Sequence, residues 1–401
     1  MADSPPTCIT TKWKGRPAVR LANNVMELTA LTGGGAIADL RLRTRSPEVH
    51  GNFLWEAPWL TLDPDVYKPS SHNRKYGPEF VGKFLACFTG HVLCLDYFGA
   101  PSVAEQKEGL CLHGEAAVGR WKIRRSQSRK SAAVLMETKL AKAGLTLHRE
   151  MRMRCDETVV YVTETVFNQR STDHYFHWVQ HVTLGPPFLQ AGESVVCVPA
   201  QRAITWPHGY EGRSMLANSK EFSWPNAPTE DGHCVDISKP FSHPGTGFVV
   251  GALLNSQRDW GFVAALNFRL GLLLGYCFHR ETFPWVAIWE ENCARHDPPW
   301  KGTTQARGME FGTTPMPVGK CEAFCSGPLF ARPTHCSIPA KGRLKTSYTI
   351  FVAQAGWDWR RIEDVRPRNQ QICVTGNTGD VVNIPARDLS TIMTFVERNV
   401  G

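Results

Sequence analysis

The chain of 401 residues has no apolar run near the roughly 18 to 20 residues that a membrane-spanning helix needs. Its first residues, "MADSPPTCITTKWKG", hold no apolar stretch of the signal-peptide kind. These absences lead us to expect a soluble, cytoplasmic protein without a membrane partner. There is no C-x-x-C pair. The nearest approach to a zinc pattern is Cys321, Cys325, His335 and Cys336, whose spacing is poor for a structural zinc. H-E-x-x-H is missing too. The glycine cluster "LTGGGAIADL" is not G-x-G-x-x-G and no Gly-Lys-Ser/Thr follows it, so it reads as a tight turn between strands. Internal repeats, low-complexity linkers and long amphipathic helices are also lacking. Basic residues interleaved with stacking aromatics, the mark of single-strand nucleic-acid binders, are not evident, and no nucleic-acid partner is expected.

What is present is sheet. "LTLHREMRMRC" alternates Leu145, Leu147, Arg149, Met151 and Met153 against Thr146, His148, Glu150, Arg152 and Arg154. "TVVYVTETVFN" is β-branched and aromatic, "GFVAALNFRLGLLLGYCF" reads as two strands around Arg269 and Gly271, and "TSYTIFVAQ" alternates again. "DLSTIMTFVERN" at the end is ambiguous between helix and strand. Many antiparallel strands with Gly, Pro and Asn punctuation predict an all-β protein, a large antiparallel sandwich with few helices. Thirteen cysteines scattered through strand-like runs read as free, buried apolar side chains in a reducing compartment. The net charge of +8 fits either an anionic ligand or a solvated surface. The densest basic stretch, "KIRRSQSRKS", reads as a solvated hairpin. The Pro-rich excursion Phe222 to Gly247 is expected to help build the mouth of a site, as long loops in β proteins often do.

"HWVQHVTLGPPFL" begins with two histidines four apart. On a helix that spacing suggests a metal pair. As a strand it puts His177, Val179, His181 and Thr183 on one face and Trp178, Gln180, Val182 and Leu184 on the other. The strand reading is preferred, because a β-branched strand and a polar turn precede the stretch and a double proline follows it. The residues alone leave His181 as either a satisfied core histidine or a functional one. They also leave Glu310, in "RGMEFGTTP", as either a catalytic carboxylate or the partner of Arg307 or Arg332. Glu290 and Glu291 are adjacent and point to opposite faces, so only one can reach a given pocket.

Five segments in order, "LTGGGAIADLRL", "GLCLHGEAAVGRW", "TETVFNQRSTDHYFHWVQHVTLGPPFL", "PWVAIWEEN" and "RGMEFGTTPMPVG", resemble the galactose mutarotase-like, or aldose 1-epimerase-like, proteins over roughly residues 25 to 355. "LHGE" stands where "LHGG" is usual, and the glutamate segment lacks Glu-Thr-Gln, so the chain resembles a divergent branch. The resemblance implies a supersandwich over 25–355, with 1–24 as an extension or first strand and 356–401 packed on the same domain. It also implies cofactor-free opening and closing of a sugar ring by general acid–base catalysis, with neither metal nor nucleotide. Glu310 would be the base, His181 the acid, and His113 a ligand of the ring or a hydroxyl. "TDHYFHW" makes His174 a rival acid. His72 and Arg74 in "SSHNRKYG" are candidate hydroxyl or anion ligands, and Trp289 a stacking platform. The expected partner is a small carbohydrate, with an acidic group as one option, bound by a monomer or homodimer. The alternatives are a non-catalytic sugar-binding protein on the same fold, or a lyase or isomerase acting on an oligosaccharide or uronate in a long open groove.

Overall fold

A computed structural model describes residues 5–43, 51–211 and 215–391. Two large antiparallel sheets face each other. The larger has twelve strands. Its path runs Thr7–Trp13, Arg16–Ala22, Met26–Leu31, Ile37–Leu42, His91–Asp96, His174–Leu184, Gln305–Gly312, Trp285–Asn292, Thr246–Leu254, Ala200–Thr205 and Glu221–Ser223, with Cys336–Ile338 joined to the His174 strand. The smaller, of eight strands, runs Ser194–Cys197, Trp260–Asn267, Leu272–His279, Arg343–Gln354, Val159–Asn168, Leu145–Arg154, Ser131–Leu140 and Lys122–Gln127.

Side-chain alternation explains the layering. In Leu145–Arg154 every odd position is buried and every even one half-exposed. Leu147, Met151, Val160, Leu274 and Ile350 of the smaller sheet meet Leu93, Trp178, Val182, Ile288 and Phe311 of the larger in one core. Arg149 sits on that buried face. Its charge is met by Glu164 at 2.7 Å, and Glu164 also accepts from Trp178 Nε1 and Gln180 Nε2. A buried charge survives in such a core only with this degree of pairing.

The His174–Leu184 strand is buried on both faces, because its second face is covered as well. Val92, Val249, Trp289 and Ala306 of the larger sheet carry an aromatic layer of Trp55, Phe84, Phe88, Tyr210 and Trp300. The outer face of the smaller sheet is covered differently. A three-stranded sheet, Ile362–Arg368, Gln371–Gly376 and Val381–Pro385, sets Val365, Ile372 and Val374 against Phe262, Leu273 and Phe351.

The basic stretch forms the exposed edge strand Lys122–Gln127 and its turn into the mostly buried strand Ser131–Leu140, and the glycine cluster turns between Met26–Leu31 and Ile37–Leu42. Most of "DLSTIMTFVERN", from residue 392 onward, lies outside the described residues. No helix among the described residues is long and apolar enough to cross a membrane. Cys321 and Cys325 are exposed on the short helix Lys320–Cys325, and no group of three or more described His, Cys, Asp or Glu residues is placed to hold a metal ion.

Candidate active site

Strand register creates the site. Val179 lies opposite Gly312 and Thr183 opposite Gly308, which sets His181 opposite Glu310 on the neighbouring strand. Both therefore leave the sheet on the face away from the sandwich core. Non-neighbours in sequence become neighbours in space, with His181 Nε2 3.2 Å from Glu310 Oε1. The two do not flank an open gap wide enough for a sugar ring, as an acid and base on opposite sides of an anomeric carbon would. They stand side by side, because adjacent antiparallel strands bring directly opposed side chains together. A substrate has to sit over the pair.

Both side chains are almost fully buried. The contact lacks hydrogen-bond geometry, and Glu310 Oε1 has no hydrogen-bond partner. Neither Arg307 nor Arg332 serves Glu310: Arg307 pairs with Glu290 through Nε at 2.7 Å, and Arg332 pairs with Glu281. Burial alone pushes the Glu310 carboxyl well above the ordinary carboxylate range. Burial likewise pulls His181 down to about 3. Both shifts favour uncharged forms, a carboxylic acid beside a neutral imidazole. Moving one proton across the 3.2 Å contact gives the ion pair instead. The Thr183 hydroxyl, 3.0 Å from His181 Nδ1, can donate or accept and so suits either tautomer.

Gly308 makes room for the carboxylate. Any methyl group at this position would collide with Glu310 Oε1. Gly308→Ala is expected to displace the carboxyl and, if Glu310 is catalytic, to lower turnover by tenfold or more, since a shift of about 1 Å in a reacting group can cost about 100-fold. Steady-state rates of this variant, set beside its unfolding midpoint, check this. A wild-type rate would show that the placement of Oε1 is irrelevant.

The pair forms part of the floor of a cavity of about 300 Å³. Trp289, Trp300, Trp206, Tyr210, Phe84 and Phe88 supply aromatic wall, and His113 faces in beside His181, their ring centroids 5.2 Å apart. His113 sits at φ 62° beside Gly114 at φ 83°. Its Nδ1 accepts the Gly99 N–H at 3.3 Å. Burial, with His181 and Arg295 nearby, holds its pKa well below the usual histidine value. The neutral ring must then carry its proton on Nε2, which is a fixed donor.

Of the residues singled out in the sequence, His181, Glu310, His113 and Trp289 come together here. His72 and Arg74 do not. "SSHNRKYG" is mostly helical, within Pro69–Tyr76, rather than a polar loop. His72 Nδ1 is taken by the Lys68 N–H, and Arg74 is exposed at a separate surface cleft beside Trp59 and Lys301. His174 lies outside the cavity lining, with Nε2 2.7 Å from Asp96, which Lys320 also holds. His177 is four residues along the strand from His181 and outside the cavity lining, and its Nδ1 accepts the Phe98 N–H. The excursion Phe222–Gly247 contributes nothing to the lining. It folds into its own hairpin, Asn226–Pro228 with Cys234–Asp236.

Sequence reasoning missed Trp206, Tyr210, Glu211, Arg295 and Trp300. Arg295 Nε lies 2.8 Å from Glu211 Oε1 and 3.7 Å from Glu291 Oε2. Its guanidinium packs 4.9 Å from the Tyr210 and Trp300 ring centroids. Glu291 also accepts the Tyr210 hydroxyl at 2.8 Å, and Tyr210 in turn accepts Trp289 Nε1 at 2.8 Å. A visible signal existed in part. Glu291 and Arg295 are four apart, and Glu291 points away from the face that Glu290 uses.

The two-sheet architecture with an aromatic cavity on the larger sheet is the galactose mutarotase-like fold. A candidate aldose 1-epimerase from Klebsiella pneumoniae superposes with a TM-score of 0.60 at 14% identity, over 88% of each chain. A candidate aldose 1-epimerase from Escherichia coli K12 gives 0.52 at 14%, over 87% of this chain and 99% of that one. A galactose mutarotase-like protein from Clostridium acetobutylicum gives 0.51 at 14%, over 87% and 99%. Identities this low carry the fold and nothing finer. The chain belongs to the family described as a domain of unknown function, DUF4432, whose model matches residues 52–297. That stretch contains His113, His181, Trp289 and Arg295 and ends before Glu310. No curated protein matches the sequence.

Proposed function

We propose that the protein opens and closes a sugar ring at the anomeric carbon, as an aldose 1-epimerase or mutarotase does, by general acid–base catalysis without a cofactor. The observation that carries this is the His181–Glu310 pair, buried and adjacent at the bottom of an aromatic cavity. Mutarotation takes a proton from the anomeric hydroxyl and gives one to the ring oxygen, then reverses both transfers after C1 has rotated. An acid and a base side by side under C1 reach those two oxygens, which are bonded to the same carbon. In the ion-pair tautomer Glu310 is the base and His181 the acid. In the neutral tautomer the roles exchange. Either form supplies one of each, as a reaction run in both directions requires. His113 Nε2–H hydrogen-bonds a ring or hydroxyl oxygen, and Trp289 offers an apolar face to the C–H side of the ring. The cavity suits a small carbohydrate, and the fold is one on which candidate aldose 1-epimerases are built.

Exchange-spectroscopy NMR on a panel of aldoses tests the proposal. Enzyme-dependent exchange between α and β anomers is expected for at least one sugar. Its rate should be flat through neutral pH. The acid limb should lie near 3, where His181 gains a second proton for the pair. The alkaline limb should lie well above the ordinary carboxylate range, where Glu310 loses the only one. Sugar binding without exchange would leave a non-catalytic carbohydrate-binding protein.

A further inference from the structure

Arg295 is the one cationic side chain among the described residues that line the cavity, and it is already committed. Its Nε is 2.8 Å from Glu211 and 3.7 Å from Glu291. Three rings, Tyr210, Trp289 and Trp300, take up its faces at 4.9, 5.8 and 4.9 Å. Glu291 is buried and held from four directions, by the Tyr210 hydroxyl, the backbone N–H groups of Ala294 and Arg295, and the guanidinium itself. Glu211 is more exposed and also lines the cavity. The three groups together carry one net negative charge. Among the described residues nothing else in the lining offsets it, since His113 is held neutral and the His181–Glu310 pair has no net positive charge in either tautomer.

From this we infer that Glu211 acts as a charge filter. By giving the Arg295 cluster its excess negative charge it makes the cavity reject sugars bearing a phosphate or carboxylate, and without it the cluster is neutral overall and Arg295, left with the longer Glu291 contact, can turn toward an anion. Glu211 is thus a specificity-determining residue of the cavity, and Arg295 is a structural wall in the native chain and a latent receptor for acidic sugars. The inference deepens the proposed function and rests on it for the identity of the ligand as a sugar. Charge enters with the sign opposite to the protein's overall balance of +8, because a desolvated ligand is governed by the charges within a few ångströms rather than by the net charge.

The test separates binding from catalysis. Methyl hexopyranosides have a locked anomeric centre and cannot exchange, so they report binding alone. Titrate wild type and Glu211→Gln with a methyl hexopyranoside and with the corresponding methyl hexopyranosiduronate, following ligand NMR. Gln keeps an oxygen for Arg295 Nε and removes the charge. Wild type should bind the neutral glycoside at least tenfold more tightly than the uronate. In Glu211→Gln that ratio should shift toward the uronate by roughly tenfold, the scale of one partly screened charge at this range. Glu211→Ala, which leaves Arg295 Nε only the 3.7 Å contact with Glu291, should shift it further, and Arg295→Gln in the Glu211→Gln background should cancel the gain. Equal binding of both glycosides by wild type, or an unchanged ratio in Glu211→Gln, overturns the filter. Free aldoses in parallel report exchange. If charge selectivity behaves as stated and no aldose exchanges, the catalytic reading fails and the filter stands. Exchange of free hexuronates as fast as hexoses overturns the filter and leaves the catalytic reading in place.

Discussion

Glu310→Gln should abolish anomer exchange while making the protein harder to unfold. The loss follows from its role in the pair. An amide neither takes nor gives the proton, and general acid–base contributions are typically about 10²- to 10⁴-fold. The gain follows from the same geometry. Glu310 is buried, Oε1 lacks a hydrogen-bond partner, and its pKa is raised by burial alone. A carboxyl whose folded pKa lies above its unfolded value contributes stability that is complete only below the unfolded value. That contribution disappears as pH rises through the folded one. Above the usual carboxylate range, Glu310 therefore costs stability, and Gln does not. The expected rise in unfolding temperature is about 1–3 °C for about 1 kcal/mol in a chain of this size. His181→Asn should lose exchange to a similar degree without that rise. Thermal unfolding beside NMR exchange rates decides the matter. A variant that still exchanges at the wild-type rate removes Glu310 from the chemistry. One that loses exchange and also melts lower marks Glu310 as a structural group instead.

The trade of stability for chemistry at this position also explains what could be read from the sequence. Period-two alternation is local, so Leu145–Arg154 and the two faces of His177–Leu184 were legible without partners. The same rule sorted Glu290 from Glu291: one faces Arg307 in the sandwich, the other Tyr210 beside the cavity. Register between strands is not local. That His181 and Glu310 stand opposite each other, rather than apart across a ring, depends on a pairing 129 positions long, fixed by the whole core. The cavity wall is less legible still. Tyr210, Glu211 and Arg295 lie in connecting segments and meet only because Tyr210 and Arg295 both find Glu291. His72 and Arg74 illustrate the reverse. A polar, basic octapeptide looks like a ligand-binding loop, yet proline at its first turn and Tyr76 anchoring its last make it a surface helix. The long excursion at 222–247 misled for a related reason, since it forms a short hairpin whose apolar residues, Ala227 and Ile237 among them, pack onto the sandwich core instead of the cavity.

Acid should unfold the protein over a range in which most proteins remain folded, and histidines are the reason. His91, His177 and His181 are pulled to about 3, chiefly by burial, and His113 is held well below its usual value by the same cause. His91 shows how completely such a ring is committed. Its Nε2 is 3.0 Å from Gln180 Oε1 and its Nδ1 faces the Tyr276 hydroxyl, inside the sandwich core. In the unfolded chain all four protonate near 6.5. The folded state therefore binds fewer protons between about 3 and 6.5, and stability, complete above 6.5, falls as pH drops through that window. Glu310 acts with the opposite sign there, since it holds a proton that the unfolded chain releases. Glu290, Glu157 and Asp39, also raised by burial, trim the slope further as pH approaches the carboxylate range. Between 6.5 and 5 the histidines dominate. The limiting slope is about 1.4 kcal/mol per pH unit for each net proton, so a net of two or three protons amounts to several kcal/mol, against a typical total of about 5–15 kcal/mol. Urea unfolding at pH 7, 6 and 5 measures this directly, with the midpoint expected to fall at each step. His91→Gln keeps a polar partner for Gln180 and cannot charge, so it should flatten the dependence by about one proton's slope at the cost of some stability at pH 7. A wild-type midpoint that does not move between pH 7 and 5 would mean that the fold takes up as many protons as the unfolded chain over this range, and the neutral imidazole assigned to His181 would have to be given up.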